Sequence, residues 1–221
     1  QGSSTNLMID CAPNAQMVKF KFPARDNMPK VGMPAVEVNW YDGGLKPEFP
    51  KGWPVGRDMN HAGGACIFYG TKDVLICGCY GTDPWLLSGK PVPAAKSTRE
   101  VENEDHHMDF VRACKESKEN RIITKSDFSK SGPLNEMVVM GVLAVRLQSL
   151  NRELEWDGEN MRFTNISEHD KVKIVTYDDF KVIDGDPRFD RRFTEFNAKE
   201  AAEEWIKHTY HNGFSLPVMP K

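Results

Sequence analysis

GGACIFYGTKDVLICGCYG, residues Gly63 to Gly81, places two short apolar runs, ACIFY and VLICGC, on either side of the polar tetrapeptide GTKD. Runs rich in β-branched and aromatic residues joined by so short a connection predict a hairpin, and a hairpin commits its strands to antiparallel pairing. The stretch ends on a cluster of glycine and cysteine around Tyr80. Cys77 and Cys79 stand at i,i+2, so on a strand they point to the same side. Extended residues at that spacing do not meet disulfide geometry, and free cysteine is often a small buried residue. A structural role is therefore expected for both.

Outward from the hairpin, period-2 alternation is clear in MVKFKFP, where Val18, Phe20 and Phe22 share a face, and in VEVNWY, where Val36, Val38 and Trp40 do. Both read as half-buried strands, separated by the loop ARDNMPKVGMP and followed by a long irregular segment rich in glycine and proline. EDHHMDFVRACKES has Met108, Val111 and Cys114 at helical spacing behind an acidic first turn. A second helix is expected to start near Ser131 with Pro133 in its first turn. Because PLNEMVVMGVLAVRLQ is apolar nearly all round, that helix is expected to be central and buried. RELEW, MRFT and KVKIVTY read as strands, and KVIDGDPRFDRRFTEF as a charged, turn-rich stretch. A last helix, AKEAAEEWIKHTY, has Asn197 as N-cap, Glu200 three residues on, and Gly213 as its stop. Strands in runs, with helices not alternating regularly between them, predict an α+β fold with an open, mainly antiparallel β-sheet and helices packed on one face.

Composition narrows the functions. The chain has 221 residues, 39% hydrophobic and 28% charged, which suits a globular protein with one substantial core. A net charge of −3 argues against nucleic acid, whose binding rests on clustered Lys and Arg. The richest apolar run, Met137 to Val145, falls far short of the roughly 18 residues a membrane span needs. No membrane role is expected. Five cysteines at irregular spacing fit neither a disulfide framework nor a paired zinc site. The opening QGSSTNLMID shows no signal peptide and no initiator Met, as in a processed or excised piece.

No GxGxxG, GxxxxGK[ST], GxSxG or HExxH occurs, so the chain is not expected to cradle a nucleotide by itself or to be a common hydrolase or metalloprotease. DHHMD gathers His106, His107 and Asp109, residue types that serve metals and proton transfer. Adjacent helical residues diverge by about 100°, the wrong geometry for shared ligation, so a pocket-facing polar group or a solvated helix start is expected rather than a metal. His61 in MNHAGG is a further loop histidine. NWYDGG runs Trp40, Tyr41 and Asp42 into two glycines and a long loop. Aromatics beside a carboxylate suit a sugar, stacking on its apolar face and accepting from its hydroxyls, and they equally suit a strand end with core aromatics.

KFPAR, WYDGG, FYGTKDVLICGCYG, DFVRACK, SGPLNEMVVMGVLA and LEWDGENMRFTN occur in this order over about residues 16 to 166. The series resembles the C-terminal domain of Gfo/Idh/MocA-type oxidoreductases of the Bacteroidetes kind, and EEWIKHTYHNGFSLP resembles the ending of that branch. The resemblance implies one substrate and oligomerisation domain spanning residues 1–221, with about 167–196 an insertion. It implies a homo-oligomer formed through the open sheet face, a sugar or sugar derivative as substrate, and pocket residues Trp40, Tyr41, Asp42 and His106. In related members the His leading the HHMDFVRACK helix follows glycines, whereas a Glu and an Asp precede it here. NAD or NADP would belong to an N-terminal Rossmann domain absent from this chain, as are the family's EKP lysine and its GxxxDxGxHxxD segment. No catalytic residue, cofactor or metal is assigned to the chain, which alone is expected to be inactive. A stand-alone carbohydrate- or protein-binding module and part of an NAD-dependent glycoside hydrolase are the alternatives. The bacterial cytoplasm and the periplasm both remain open as locations.

Overall fold

The structure, a computed structural model, describes residues 1–26, 33–59, 63–94, 105–207 and 209–215. Along these the order is β1 (Gly2–Ser4), β2 (Gln16–Phe22), β3 (Val36–Tyr41), β4 (Ala65–Tyr69), β5 (Val74–Gly78), β6 (Trp85–Leu86), α1 (His106–Lys115), α2 (Phe128–Arg146), a 3-10 turn (Gln148–Leu150), β7 (Trp156–Asp157), β8 (Arg162–Phe163), β9 (Lys171–Ile183), β10 (Asp186–Asn197) and α3 (Ala198–Ile206). The protein is α+β, and its strands pair antiparallel in small sheets ordered β1-β2-β3, β4-β5-β6, β7-β8 and β9-β10. The chain divides into two compact units, residues 1–46 with 126–221 and residues 47–125.

In the first unit, α2 crosses the β1-β2-β3 sheet at a point where side chains have been removed. A Cβ on Gly141 would lie 2.9 Å from the Phe20 ring, and one on Gly2 would meet the Val145 backbone nitrogen at 2.6 Å. The glycines let helix and strands touch, and Leu7, Val18 and Val145 close over the contact with Phe20 beside them. The larger core lies under the base of the β9-β10 hairpin, where Leu147, Ile166, Val172, Ile174, Ala198 and Ala202 are buried together. Arg146 ties the N-terminal segment to it by donating to the Ile9 carbonyl at 3.2 Å.

Several elements differ from the sequence expectation. α2 starts at Phe128 instead of near Ser131, because the Asp127 carboxylate caps the Ser129 N–H; Pro133 consequently sits inside the helix. Nor is α2 central and buried. Gly141, Leu143, Ala144 and Val145 are covered, whereas Leu134, Val138 and Val142 keep 58%, 53% and 49% of their surface in solvent. Helix α1 also turns the other way. Asp109 and Ala113 face inward, and the expected core face, Met108, Val111 and Cys114, is exposed.

KVIDGDPRFDRRFTEF proves to be strand, not turn. Asp184 and Gly185 stand at φ 53° and 85°, the two left-handed positions that a two-residue type I′ connection demands, and β9 and β10 pair from there to Lys171 and Asn197 with one register shift, between Arg192 and Phe193, that leaves Thr176 without a partner residue. α3 begins where expected, with the Asn197 side chain accepting from the Lys199 and Glu200 N–H groups at 3.0 Å. It ends at Ile206, well before Gly213.

Candidate functional site

NWYDGG has a physical explanation in the first unit. Trp40 and Tyr41 close β3, paired with Val18 and Met17 of β2. Asp42 then folds back on β2: it accepts from the Gln16 backbone N–H at 3.1 Å and from Gln16 Nε2 at 2.8 Å, while its own N–H donates to the Gln16 carbonyl. The same carboxylate accepts from Trp40 Nε1 at 3.0 Å. Gly43 follows at φ 66°, where a Cβ would lie 2.1 Å from the Asn14 carbonyl oxygen, so only glycine lets the chain leave the strand here. Trp40 is 56% exposed with its ring orientation fixed by Asp42. This is a flat aromatic surface on a rigid strand end, the type of group on which a sugar ring stacks. Asp42 holds that ring in place and spends much of its accepting capacity doing so.

His106 is exposed and opens α1 in the second unit. Its ring lies against that of His107, centroids 3.9 Å apart and tilted by 36°. Asp105 caps the helix, accepting from the His107 N–H at 2.9 Å, a bond that holds its carboxyl below the usual aspartate range. Donor atoms of Asp105, His106 and His107 lie within 4.8 Å of one another. All three are exposed, the carboxylate is occupied by the cap, and the positive end of the helix dipole opposes a cation there. Trp40, Tyr41 and Asp42 thus belong to one unit and His106 to the other. His61 lies outside the described residues.

The buried member of DHHMD is Asp109, which sequence reading grouped with the histidines. It is 0% exposed, accepts from Arg112 Nη2 at 3.1 Å and Nε at 3.2 Å, and takes the Lys125 backbone N–H at 2.7 Å. Arg112 also pairs with Glu116 and donates to the Ile122 carbonyl at 2.9 Å. The cluster ties α1 to the segment after it and is structural.

The hairpin of the opening stretch forms as expected, with Cys66 opposite Cys77 and Gly70 N–H donating to the Asp73 carbonyl at 3.0 Å. Cys77 is buried on β5, but Cys79 lies past the strand end and is exposed. Burial pushes the Cys66 thiol upward, reinforced by Cys77 and Cys79, so it stays protonated at neutral pH and is a poor nucleophile. Titration of the native chain with a disulfide reagent at pH 7 is expected to modify Cys11, Cys79 and Cys114 quickly, and Cys66 and Cys77 only on unfolding. Fast reaction of Cys66 in the folded chain would assign it chemistry after all.

A second aromatic surface went unread in the sequence. In the second unit Trp53 packs between Phe49 and Trp85 at 5.4 and 5.3 Å, and the Arg57 guanidinium lies 3.7 Å above the Trp85 ring. Trp53 Nε1 donates to the Arg57 carbonyl at 2.9 Å, fixing the turn. The hollow that this segment lines is open and apolar. Its signal was present in FPKGWPVGR, where aromatics alternate with turn residues, yet that pattern has no regular period to reveal it.

Among the described residues no glycine-rich turn leads from a strand into a helix. A nucleotide cradle needs glycines where a strand turns into a helix. Strand β10 passes into α3 through Phe196, Asn197 and Ala198, and Gly43-Gly44 and Gly63-Gly64 flank strands in turns with no helix beside them. No helix among the described residues is long and apolar enough to cross a membrane. No protein-family model matches the chain, and no curated protein matches it.

Proposed function

We propose that this chain is the substrate-binding and oligomerisation domain of an NAD(P)-dependent oxidoreductase acting on a sugar or sugar derivative, inactive without its Rossmann domain. The ordered motifs over about residues 16 to 166 supply the family resemblance. The observation that carries the reading in the structure is the apolar row Leu134, Val138 and Val142 on α2, about half exposed at successive helical turns. A helix face of this kind is what a missing neighbouring domain or subunit would cover. Trp40, its ring held by Asp42, offers the sugar a stacking surface, Tyr41 stands next to it on the opposite face of β3, and His106 offers a separate polar group.

On this reading the cofactor and the redox step belong to the Rossmann domain. What the chain supplies is orientation of a hydroxylated ring against a fixed indole, which enters catalysis as positioning. Titrating monosaccharides and sugar acids into the chain while following tryptophan fluorescence tests the substrate side. Saturable quenching that disappears in Trp40→Ala is expected, at about millimolar affinity for an isolated stacking site. Quenching that survives Trp40→Ala and is lost in Trp53→Ala would move the sugar site to the second unit.

A further inference from the structure

The β9-β10 hairpin pairs Arg191 with Asp178 across its strands at 3.0 Å, but part of its charge pattern is not satisfied by its own pairing. Across the two strands Asp190 lies opposite Asp179 and Arg188 opposite Lys181, like charges facing like. Such pairs are unfavourable in a sheet. The ions find partners along their own strands instead, Asp190 with Arg192 at 2.7 Å and Asp179 with Lys181 at 2.8 Å. β10 is exposed from Asp186 to Glu195, and no strand pairs with its outer edge among the described residues. Phe180 and Phe189 pack with ring centroids 5.1 Å apart, tilted by 50°, on the opposite side of the hairpin, with Phe189 still 70% exposed.

We propose that the outer edge of β10 pairs antiparallel with the same edge of a second copy of this chain, centred on Phe189. The sequence DPRFDRR is charge-complementary to itself in that arrangement. With Phe189 opposite its mate, Arg188 faces Asp190 of the second copy and Asp186 faces its Arg192, each contact occurring twice. A slip of two residues in either direction sets Asp186 against Asp190 or Arg188 against Arg192. The register centred on Phe189 is therefore favoured over its neighbours, and a two-fold contact of this kind closes as a dimer.

The backbone agrees. In a hairpin closed by a two-residue loop the pair beside the loop, Ile183 and Asp186, is hydrogen-bonded, and bonded and non-bonded pairs alternate from there. Pro187, Phe189 and Arg191 fall on the non-bonded pairs, so their backbone groups point to the free edge. Phe189 and its mate can exchange two N–H···O bonds, and each Arg191 N–H can donate to the other copy's Pro187 carbonyl. Pro187 lacks an N–H and blunts the edge against indiscriminate strand addition, as edge prolines do. The product is a four-stranded sheet with a row of four phenylalanines on one face.

This contact is a strand edge, distinct from an open sheet face, and it holds whether or not the oxidoreductase reading does. Sedimentation velocity of the full chain over about 1 to 100 µM, a range spanning weak and moderate interfaces, should show a two-fold increase in mass. Arg188→Asp and Asp190→Arg should each weaken association about tenfold or more, by setting like charges across the two-fold axis. Both changes place opposite charges across the chain's own hairpin, at Lys181 and Asp179. Loss of association in them is therefore not loss of the hairpin. Mixing the two single variants, or combining both changes in one chain, should restore it. A wild-type chain that stays monomeric, association that survives both single variants, or a mixture that fails to reassociate overturns the proposal. None of these results bears on sugar or cofactor binding.

Discussion

Asp109→Ala is expected to destabilise the 47–125 unit by about 3 kcal/mol, the cost of removing one partner from a buried ion pair. The carboxylate is fully buried, and its removal takes the acceptor from the Lys125 N–H and one of the two carboxylate partners from the Arg112 guanidinium, which keeps Glu116. Urea unfolding followed through Trp53 and Trp85, both in this unit, measures the loss as a shifted midpoint at unchanged slope. Asp109→Asn keeps an acceptor for Lys125 and should cost less. A change below about 1 kcal/mol for Asp109→Ala would mean that the cluster is solvated. Acid acts on the same group of residues. The Arg112 guanidinium, followed by the Ile122 N–H, holds the Glu116 carboxyl below the ordinary glutamate value of 4.5. Its contribution is complete above that value and is lost as pH falls through the lower folded one, so Glu116→Gln should flatten the acid limb of stability against pH.

Ile174→Ala is expected to cost about 3 kcal/mol in the first unit, through lost burial and the cavity left behind. Ile174 is 1% exposed among Leu147, Val172 and Ala198, where hairpin, 3-10 turn and α3 meet. Lys173, one residue away on the solvent face and paired with Glu195 at 3.3 Å, should tolerate alanine within about 0.5 kcal/mol. The contrast between neighbours tests whether β9 alternates inside and outside at its base, and equal effects would contradict the register.

What the sequence revealed and what it hid have the same cause. Period-2 patterns in β2 and β3 were legible because one face of each is apolar, β4 and β5 were legible as apolar runs around a short turn, and Asn197 was legible as a cap because its chemistry is local. The upper hairpin was not legible, because both its faces are exposed and nothing forces polar and apolar residues to alternate there. Its Asp184-Gly185 turn was the available signal, overlooked among the charges around it. Helix α1 misled for another reason. Its apolar positions predicted an apolar inward face, but a buried Asp109–Arg112 pair took that place, a polar network that periodicity cannot anticipate. At the candidate site, Trp40 and Asp42 were visible as residue types. That Asp42 serves Trp40 and Gln16 emerged only from the hydrogen bonds.

The most direct measurement of the central claim is the sequence of the messenger upstream of the Gln1 codon. The account predicts an in-frame segment of about 150 to 200 residues, one domain in size, with a strand-GxGxxG-helix unit followed by EKP. A start codon or a secretory signal immediately before Gln1 would contradict it and leave a stand-alone binding module.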